Sequence, residues 1–156
     1  MRYQNASADN LPKEVTEKIN EAIKEKKGIL FYGGTGVGKT YTMHTLAKNK
    51  GKVENFVEML VEFIDYQNKG FYYDKLKELT NQDYLFIDDI GSEKTTEFVI
   101  TFLYLIVNKR YENMKRTVFA TNLSLEDFSN RYGDRILSRI NEMCLLVELK
   151  GEDKRI

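Results

Sequence analysis

The sequence is poor in the residues that staple, bend or reinforce a small fold: its 156 residues include one Cys, one Pro, one His and no Trp. A lone Cys144 cannot form an internal bridge, which excludes a disulfide framework and any Cys-built zinc site and suits a reducing cytoplasm. The longest apolar run, Phe102 to Val107 (FLYLIV), is far short of the roughly 20 residues that cross a bilayer, so no transmembrane helix is expected. The first ten residues, MRYQNASADN, hold no apolar stretch that could form the core of a signal peptide. Charge of one sign is also missing. With 24 Lys plus Arg against 24 Asp plus Glu, the chain is no strongly basic nucleic-acid sponge, although a local basic stripe is compatible with zero net charge. Hydrophobic residues make up 42%, and a domain of this length buries roughly 70% of its unfolded surface, enough for a core that needs no metal or disulfide.

What is present is an alternation of helical and strand patterns with no repeat, low-complexity tract or linker to divide it. Asn10 is placed to cap a first helix with Pro12 in its first turn, and Leu11, Val15, Ile19, Ala22 and Ile23 recur at helical spacing until Lys26, Lys27 and Gly28. Gly28 to Tyr32 (GILFY) is a short apolar run before a Gly-rich loop, the pattern of a buried parallel strand. A helix from about Lys39 follows, with Met43, Leu46 and Ala47 on one face. Further strands are expected at Val53 to Val57, Tyr84 to Asp88, Thr117 to Thr121 and Cys144 to Leu149. Between them, Thr95 to Tyr111 sets Phe98, Val99, Phe102, Leu103 and Ile106 along a helical stripe, and Ser124 with Asp127 forms a capping box before Phe128. Met59, Leu60, Phe63 and Ile64 also suit a helix, which Asn68 to Tyr73 (NKGFYY) interrupts. Strand alternating with helix implies an α/β fold with a parallel sheet covered on both faces.

Residues 33 to 40 read GGTGVGKT, so Gly33, Gly38, Lys39 and Thr40 satisfy GxxxxGK[ST] between a strand and a helix. Glycines let the backbone of Gly33, Gly34, Thr35, Gly36, Val37 and Gly38 turn its N–H groups around a phosphate. The start of the helix adds its positive end, Lys39 reaches the β and γ oxygens, and Thr40 offers a hydroxyl to Mg²⁺. The Lys39 ammonium, as a charge-assisted partner of triphosphate, is worth on the order of 1.5–3 kcal/mol. ATP and Mg²⁺ are therefore the expected cofactors. The apolar run Tyr84 to Ile87 ends in Asp88 and Asp89, and ligands in open α/β sheets lie at the carboxyl ends of strands. Asp88 is placed to act on Mg²⁺, and Asp89 to serve as a general base or to orient water. Glu93 is the next carboxylate in the same segment.

The phosphate loop, followed by DDIGSEKTTEF at Asp88 to Phe98, TVFATN at Thr117 to Asn122, GDRILSRI at Gly133 to Ile140 and GEDKR at Gly151 to Arg155, resembles the DnaC/IstB-like branch of the AAA+ ATPases. The resemblance runs from about Gly28 to Arg155 and implies a three-layer P-loop NTPase fold with a five-stranded parallel sheet. It also implies a reduced or absent helical lid and one AAA+ domain over residues 1–156, of which 1–27 form an N-terminal helical segment. By the same resemblance Asp88 and Asp89 match the Walker B pair, with Asp at the second place where many AAA+ proteins have Glu. Asn122 matches sensor I, Arg139 the arginine finger, with Arg135 one turn before it, and Arg155 the sensor II arginine. The function implied is that of a cytoplasmic, Mg-dependent ATPase that assembles with copies of itself and delivers or remodels a replicative helicase on single-stranded DNA. An IstB-like helper of a transposase uses the same core, and a small P-loop kinase or a non-hydrolysing interaction module stays open on the loop alone.

Other residues have two readings. Tyr66, Lys69, Phe71, Tyr72, Tyr73 and Lys75 interleave aromatic and basic side chains on an expected loop, as a single-strand binding surface does. The same aromatics suit packing beneath that loop, which is the commoner use. His44 reads as an ordinary packing or surface residue, and Cys144 as a small buried apolar one.

Overall fold

The computed structural model describes residues 11–34, 36 and 38–150. Asn10 lies outside the described residues. The first helix, α1 (Lys13–Glu25), buries Val15, Ile19 and Ala22 and ends where Lys26 adopts a left-handed conformation, its N–H bonding back to the last turn. Then come β1 (Gly28–Tyr32), α2 (Lys39–Ala47), β2 (Val53–Asn55), α3 (Phe56–Lys69), α4 (Tyr72–Asn81), β3 (Tyr84–Ile90), α5 (Glu97–Glu112), β4 (Arg116–Thr121), α6 (Leu125–Tyr132), α7 (Asp134–Met143) and β5 (Cys144–Glu148).

All five strands are parallel, in the order β2-β3-β4-β1-β5. Alternate residues along each strand enter different layers, as the pleat requires. Ile29, Phe31, Phe86, Val118 and Ala120 pack with α1 and α2. Leu30, Leu85, Ile87 and Phe119 pack with α3 to α7, where Phe56, Phe63, Phe98 and Phe102 form a chain of ring contacts. This is the three-layer fold the residue pattern implies. β1 must pass close to its neighbours: a Cβ on Gly28 would stand 2.0 Å from the carbonyl oxygen of Thr117.

Three boundaries differ from expectation. The strand expected at Val53 to Val57 stops at Asn55, whose side-chain oxygen accepts from the Glu58 N–H at 3.1 Å and caps α3, so Phe56 and Val57 turn into the helix. Gly70 ends α3 in a left-handed conformation, but the chain coils again at once. Tyr72 and Tyr73 lie on α4, not on a loop, and Tyr66 and Tyr72 set their edges on Phe63. The third strand runs two residues past Asp88, and its register with β4 shifts between Ile87 and Ile90. The capping of α6 is as expected, with Ser124 Oγ accepting from the Asp127 N–H at 3.1 Å.

Among the described residues, one charged side chain has no exposed surface at all. Arg110, near the end of α5, donates to Thr117 Oγ1 at 2.6 Å and to the carbonyls of Gln82 (2.8 Å), Arg116 (2.8 Å), Leu79 and Thr80 (both 3.2 Å). The guanidinium thereby satisfies the carbonyls that α4 leaves unpaired at its end. Burial pushes its pKa down to about 10, with Asp83 opposing, and it stays cationic at neutral pH. Arg110→Ala strands four carbonyls and a hydroxyl inside the protein. It is expected to lower unfolding free energy by about 3 kcal/mol or more, and Arg110→Lys, with fewer donors, to recover only part. Urea denaturation of the two variants checks this; a loss under about 1 kcal/mol for Ala would mean that water replaces the guanidinium.

Candidate nucleotide site

The phosphate loop leaves the carboxyl end of β1. Gly33 has a φ of 146°, and a Cβ there would stand 2.3 Å from the Leu149 carbonyl oxygen, so the loop can start only with glycine. Gly38 precedes α2 in a left-handed conformation. Lys39 is buried, and its ammonium donates to the carbonyls of Gly33 (2.8 Å) and Gly34 (2.6 Å). Its charge is thus held over the mouth of the loop from which it springs.

Thr40, one residue further, donates its hydroxyl to Asp88 Oδ2 at 2.8 Å across 48 positions of sequence. The other oxygen of Asp88 accepts from the Asp89 N–H, also at 2.8 Å. Desolvation raises the pKa of Asp88, with the Thr40 bond acting against that shift. The hydroxyl and carboxylate are hard oxygen donors of the kind Mg²⁺ takes, and a cation that keeps several waters and shares phosphate oxygens needs no fuller protein cage. Accordingly, among the described residues no group of three His, Cys, Asp or Glu could hold a metal unaided.

Asp89 has a φ of 66°, the left-handed region that non-glycine residues seldom adopt. The register shift in β3 produces this turn and points the residue out of the ladder. Ser92 Oγ donates to Asp89 Oδ1 at 2.7 Å, and Asn55 Nδ2 lies 3.5 Å from Oδ2. Asn55 therefore both caps α3 and faces the second acid. Its capping role was readable, since Asn55 and Glu58 have the spacing of a capping box; its contact with Asp89 was not.

Asn122 is exposed just beyond Thr121, the residue that pairs with Tyr32 at the end of β1. It lies at the same edge as Gly33, Lys39, Thr40, Asp88 and Asp89. Arg139 does not join them. Its guanidinium carbon lies 4.6 Å from the ring centroid of Tyr111, in the last turns of α5, and the Tyr111 hydroxyl donates to the Glu142 carboxylate. Helices between parallel strands run back from the carboxyl edge of the sheet, so the end of α5 lies toward the amino edge, away from this chain's own phosphate loop. Arg135 is exposed on the same helix. Thr35, Val37 and Arg155 lie outside the described residues. His44 has its pKa lowered by burial, with Asp88 opposing.

Glu93, the next carboxylate after the acidic pair, is tied into a structural network. It is buried: one oxygen accepts from the Gly91 N–H at 2.9 Å, and the other from the Tyr132 hydroxyl at 2.5 Å and Arg131 at 3.2 Å. Arg131 also reaches the Glu93 carbonyl and Thr95. Burial, with this hydrogen bond, raises the Tyr132 pKa strongly and keeps the phenol a donor.

A glycine-rich loop of GxxxxGK[ST] spacing between strand and helix, a lysine folded back on its first carbonyls and a threonine facing an acidic strand end together define a P-loop nucleotide-binding protein. The family described as IstB-like ATP binding protein matches residues 3–156, and the chain belongs to that family. Phage-like element PBSX protein XkdC of Bacillus subtilis (strain 168) is 32% identical over 146 residues, 84% of this chain and 54% of that protein. Replicative helicase loader DnaC of Escherichia coli (strain K12) is 23% identical over 156 residues, 88% of this chain and 64% of that protein. The chain thus spans only about half to two thirds of these relatives' own length. A crystal structure of the DnaC helicase loader superposes with a TM-score of 0.82 at 28% identity, covering 96% of this chain and 99% of that one. The fold is the AAA+ type of P-loop domain.

Glu93→Ala is expected to lower stability by about 2–3 kcal/mol, because it leaves the Gly91 N–H and the Tyr132 hydroxyl without their acceptor. Nucleotide affinity should stay within about threefold, since the described partners of the Glu93 carboxylate, Gly91, Arg131 and Tyr132, lie outside the loop. Denaturant titration and calorimetry on the same preparation check both. Unchanged stability with lost ATP turnover would return Glu93 to the chemistry.

Proposed function

We propose that this chain binds ATP with Mg²⁺, hydrolyses it, and uses the cycle to deliver or remodel a replicative helicase on single-stranded DNA. The observation that carries the reading is the Thr40–Asp88 contact, which joins the phosphate loop to the acidic strand end at one point. Residues 1–156 act as one AAA+ domain, working in the cytoplasm. Among the described residues no helix is long and apolar enough to cross a membrane.

Residues Gly33 to Thr40, Thr35 and Val37 included, wrap the phosphates through backbone N–H groups, and Lys39 exchanges its two carbonyl partners for β and γ oxygens. Arg155 contributes to nucleotide binding from the last segment. Thr40 and Asp88 hold Mg²⁺, whose chemistry is to neutralise charge on the phosphate oxygens. Asp89, turned out of the strand and steadied by Ser92, takes the proton of the attacking water or orients it, and Asn122 contacts the γ-phosphate side. Arg139, lying toward the amino edge on Tyr111, acts on a neighbour's nucleotide in an ATP-dependent homo-oligomer. For single-stranded DNA the support is surface: Phe71 is 52% and Tyr73 84% exposed, with Lys69 and Lys75 nearby in sequence, whereas Tyr66 and Tyr72 serve the core.

An IstB-like helper of a transposase is the second reading, favoured by the family match. Affinity capture from the native host with ATP present separates the two. A hexameric helicase on the bait supports loading, a transposase supports the helper role, and neither, in the presence of ATP-bound bait, rejects both.

The ATPase itself is tested by mixing Arg139→Ala with Lys39→Ala subunits, each expected to lose about 10³-fold or more in turnover alone. Partial recovery on mixing is the expected result, because some interfaces then pair an intact loop with an intact Arg139. No recovery in assemblies shown to be mixed rejects action between chains.

A further inference from the structure

One buried hydroxyl stands at the carboxyl edge of the sheet, apart from every group assigned to phosphate or metal. It belongs to Thr121, the last residue of β4, which is 1% exposed. Its Oγ1 donates to the carbonyl of Ile90 at 2.6 Å and accepts from the Leu123 N–H at 3.2 Å. Ile90 directly follows Asp89, and Leu123 directly follows Asn122. A single oxygen atom thus ties the turn that carries the second acid to the turn that carries Asn122.

The strand ladder alone does not hold this corner. Ile87 pairs with Phe119 and Ile90 with Thr121, so three steps along β3 match two along β4, and Asp88 and Asp89 fall within the irregular stretch. A left-handed Asp89 persists only where its neighbours over-determine the backbone. The Thr121 hydroxyl supplies one such restraint at the far side of the bulge, and Glu93 supplies another on the Gly91 N–H. On its other side Thr121 pairs with Tyr32, directly before Gly33, so the same residue is also in register with the root of the phosphate loop. The two turns lie in close contact. Gly91 has a φ of 108°, and a Cβ there would stand 2.9 Å from Leu123 Cγ and 3.2 Å from Thr121 Oγ1. Packing of this kind asks only for a small side chain, which valine would satisfy as well as threonine. The hydroxyl is needed for the two hydrogen bonds, and these set the spacing of the turns.

We propose that Thr121 is a positioning residue for hydrolysis: its hydroxyl fixes Asp89 and Asn122 relative to each other so that both meet the same attacking water, a role that rests on the reading of those two residues as the groups that handle this water. Thr121 acts through the two side chains and not on the nucleotide itself. Its loss should therefore slow the chemical step and leave binding of ATP in place.

Single-turnover hydrolysis of radiolabelled ATP by Thr121→Val, with Asp89→Asn and the double variant measured beside it, tests this. Thr121→Val is expected to slow hydrolysis about tenfold or more, while ATP affinity by calorimetry stays within about threefold. Thr121→Ser keeps the hydroxyl and should hydrolyse within about threefold of the parent. In the Asp89→Asn background Thr121→Val should cost less than about threefold, because no aligned acid is left to displace. Hydrogen exchange gives a readout independent of turnover: the Leu123 amide should exchange about tenfold faster or more in Thr121→Val and not in Thr121→Ser. Thermal melts confirm folding, and Thr121→Cys, similar in size with a weaker hydrogen-bonding group, replaces a valine variant that does not fold, with a loss of about fivefold expected. A Thr121→Val protein that hydrolyses at the parent rate while Asp89→Asn is slow overturns the bridge and leaves the ATPase reading standing. Losses that multiply in the double variant, or an unchanged Leu123 amide, overturn it too. If Asp89→Asn hydrolyses at the parent rate, the reading of the second acid fails and the bridge falls with it.

Discussion

Parallel strands deliver all their carboxyl ends to one side, and the chemistry of this protein depends on that constraint. Nothing local brings Thr40 to Asp88; the sheet does, because β1 and β3 flank β4 in fixed register and each ends in a polar turn at the same level. The order β2-β3-β4-β1-β5 then puts Asn55 beside the acids on one side and the Leu149 carbonyl against Gly33 on the other. The first loop residue is consequently fixed by its neighbour on the sheet as much as by phosphate.

Each edge of the sheet has its own buried polar tie. At the amino edge, Arg110 joins the end of α4, the end of α5 and the start of β4 through four carbonyls and the Thr117 hydroxyl. At the carboxyl edge, Glu93 joins the turn after Asp89 to the last residues of α6, directly before the glycine that starts α7. The two ties are of opposite charge and neither is spent on the other. Between them they set where β3 begins and where its acidic end stops, a length that apolar packing by itself would leave free to slide.

Most of this was legible along the chain. GGTGVGKT, the acidic pair and the capping of α6 are local patterns with local physical causes; among the described residues Gly33, Lys39 and Thr40 follow β1, the acidic pair closes β3, and Ser124 caps α6. The exceptions share a cause. Arg110 drew no reading from sequence, since it falls in the last turn of an amphipathic helix and its partners are 6 to 31 residues away. Glu93 was only the next carboxylate after the acidic pair, and its side chain is held by Gly91 of its own turn and by Arg131 and Tyr132 of α6. Tyr72 and Tyr73 were assigned to a loop because Gly70 signals a stop, although Tyr72, Leu76 and Leu79 have helical spacing and could have restored the helix. Asn55 divides the two kinds: its cap is local and readable, its approach to Asp89 is tertiary and was not.

The left-handed backbone at residue 89 bears on why the second acid is Asp where many relatives of this fold carry Glu. Short Asp and Asn side chains bond to their own backbone and tolerate that region several times more readily than longer residues. A Glu at this place would have to hold a conformation it disfavours while carrying its carboxylate one methylene beyond Ser92. The choice of acid is thus conformational in origin, set by the extra residue in β3. Lengthening the acid is therefore coupled to the backbone: a Glu at 89 fits this strand only if the bulge goes with it.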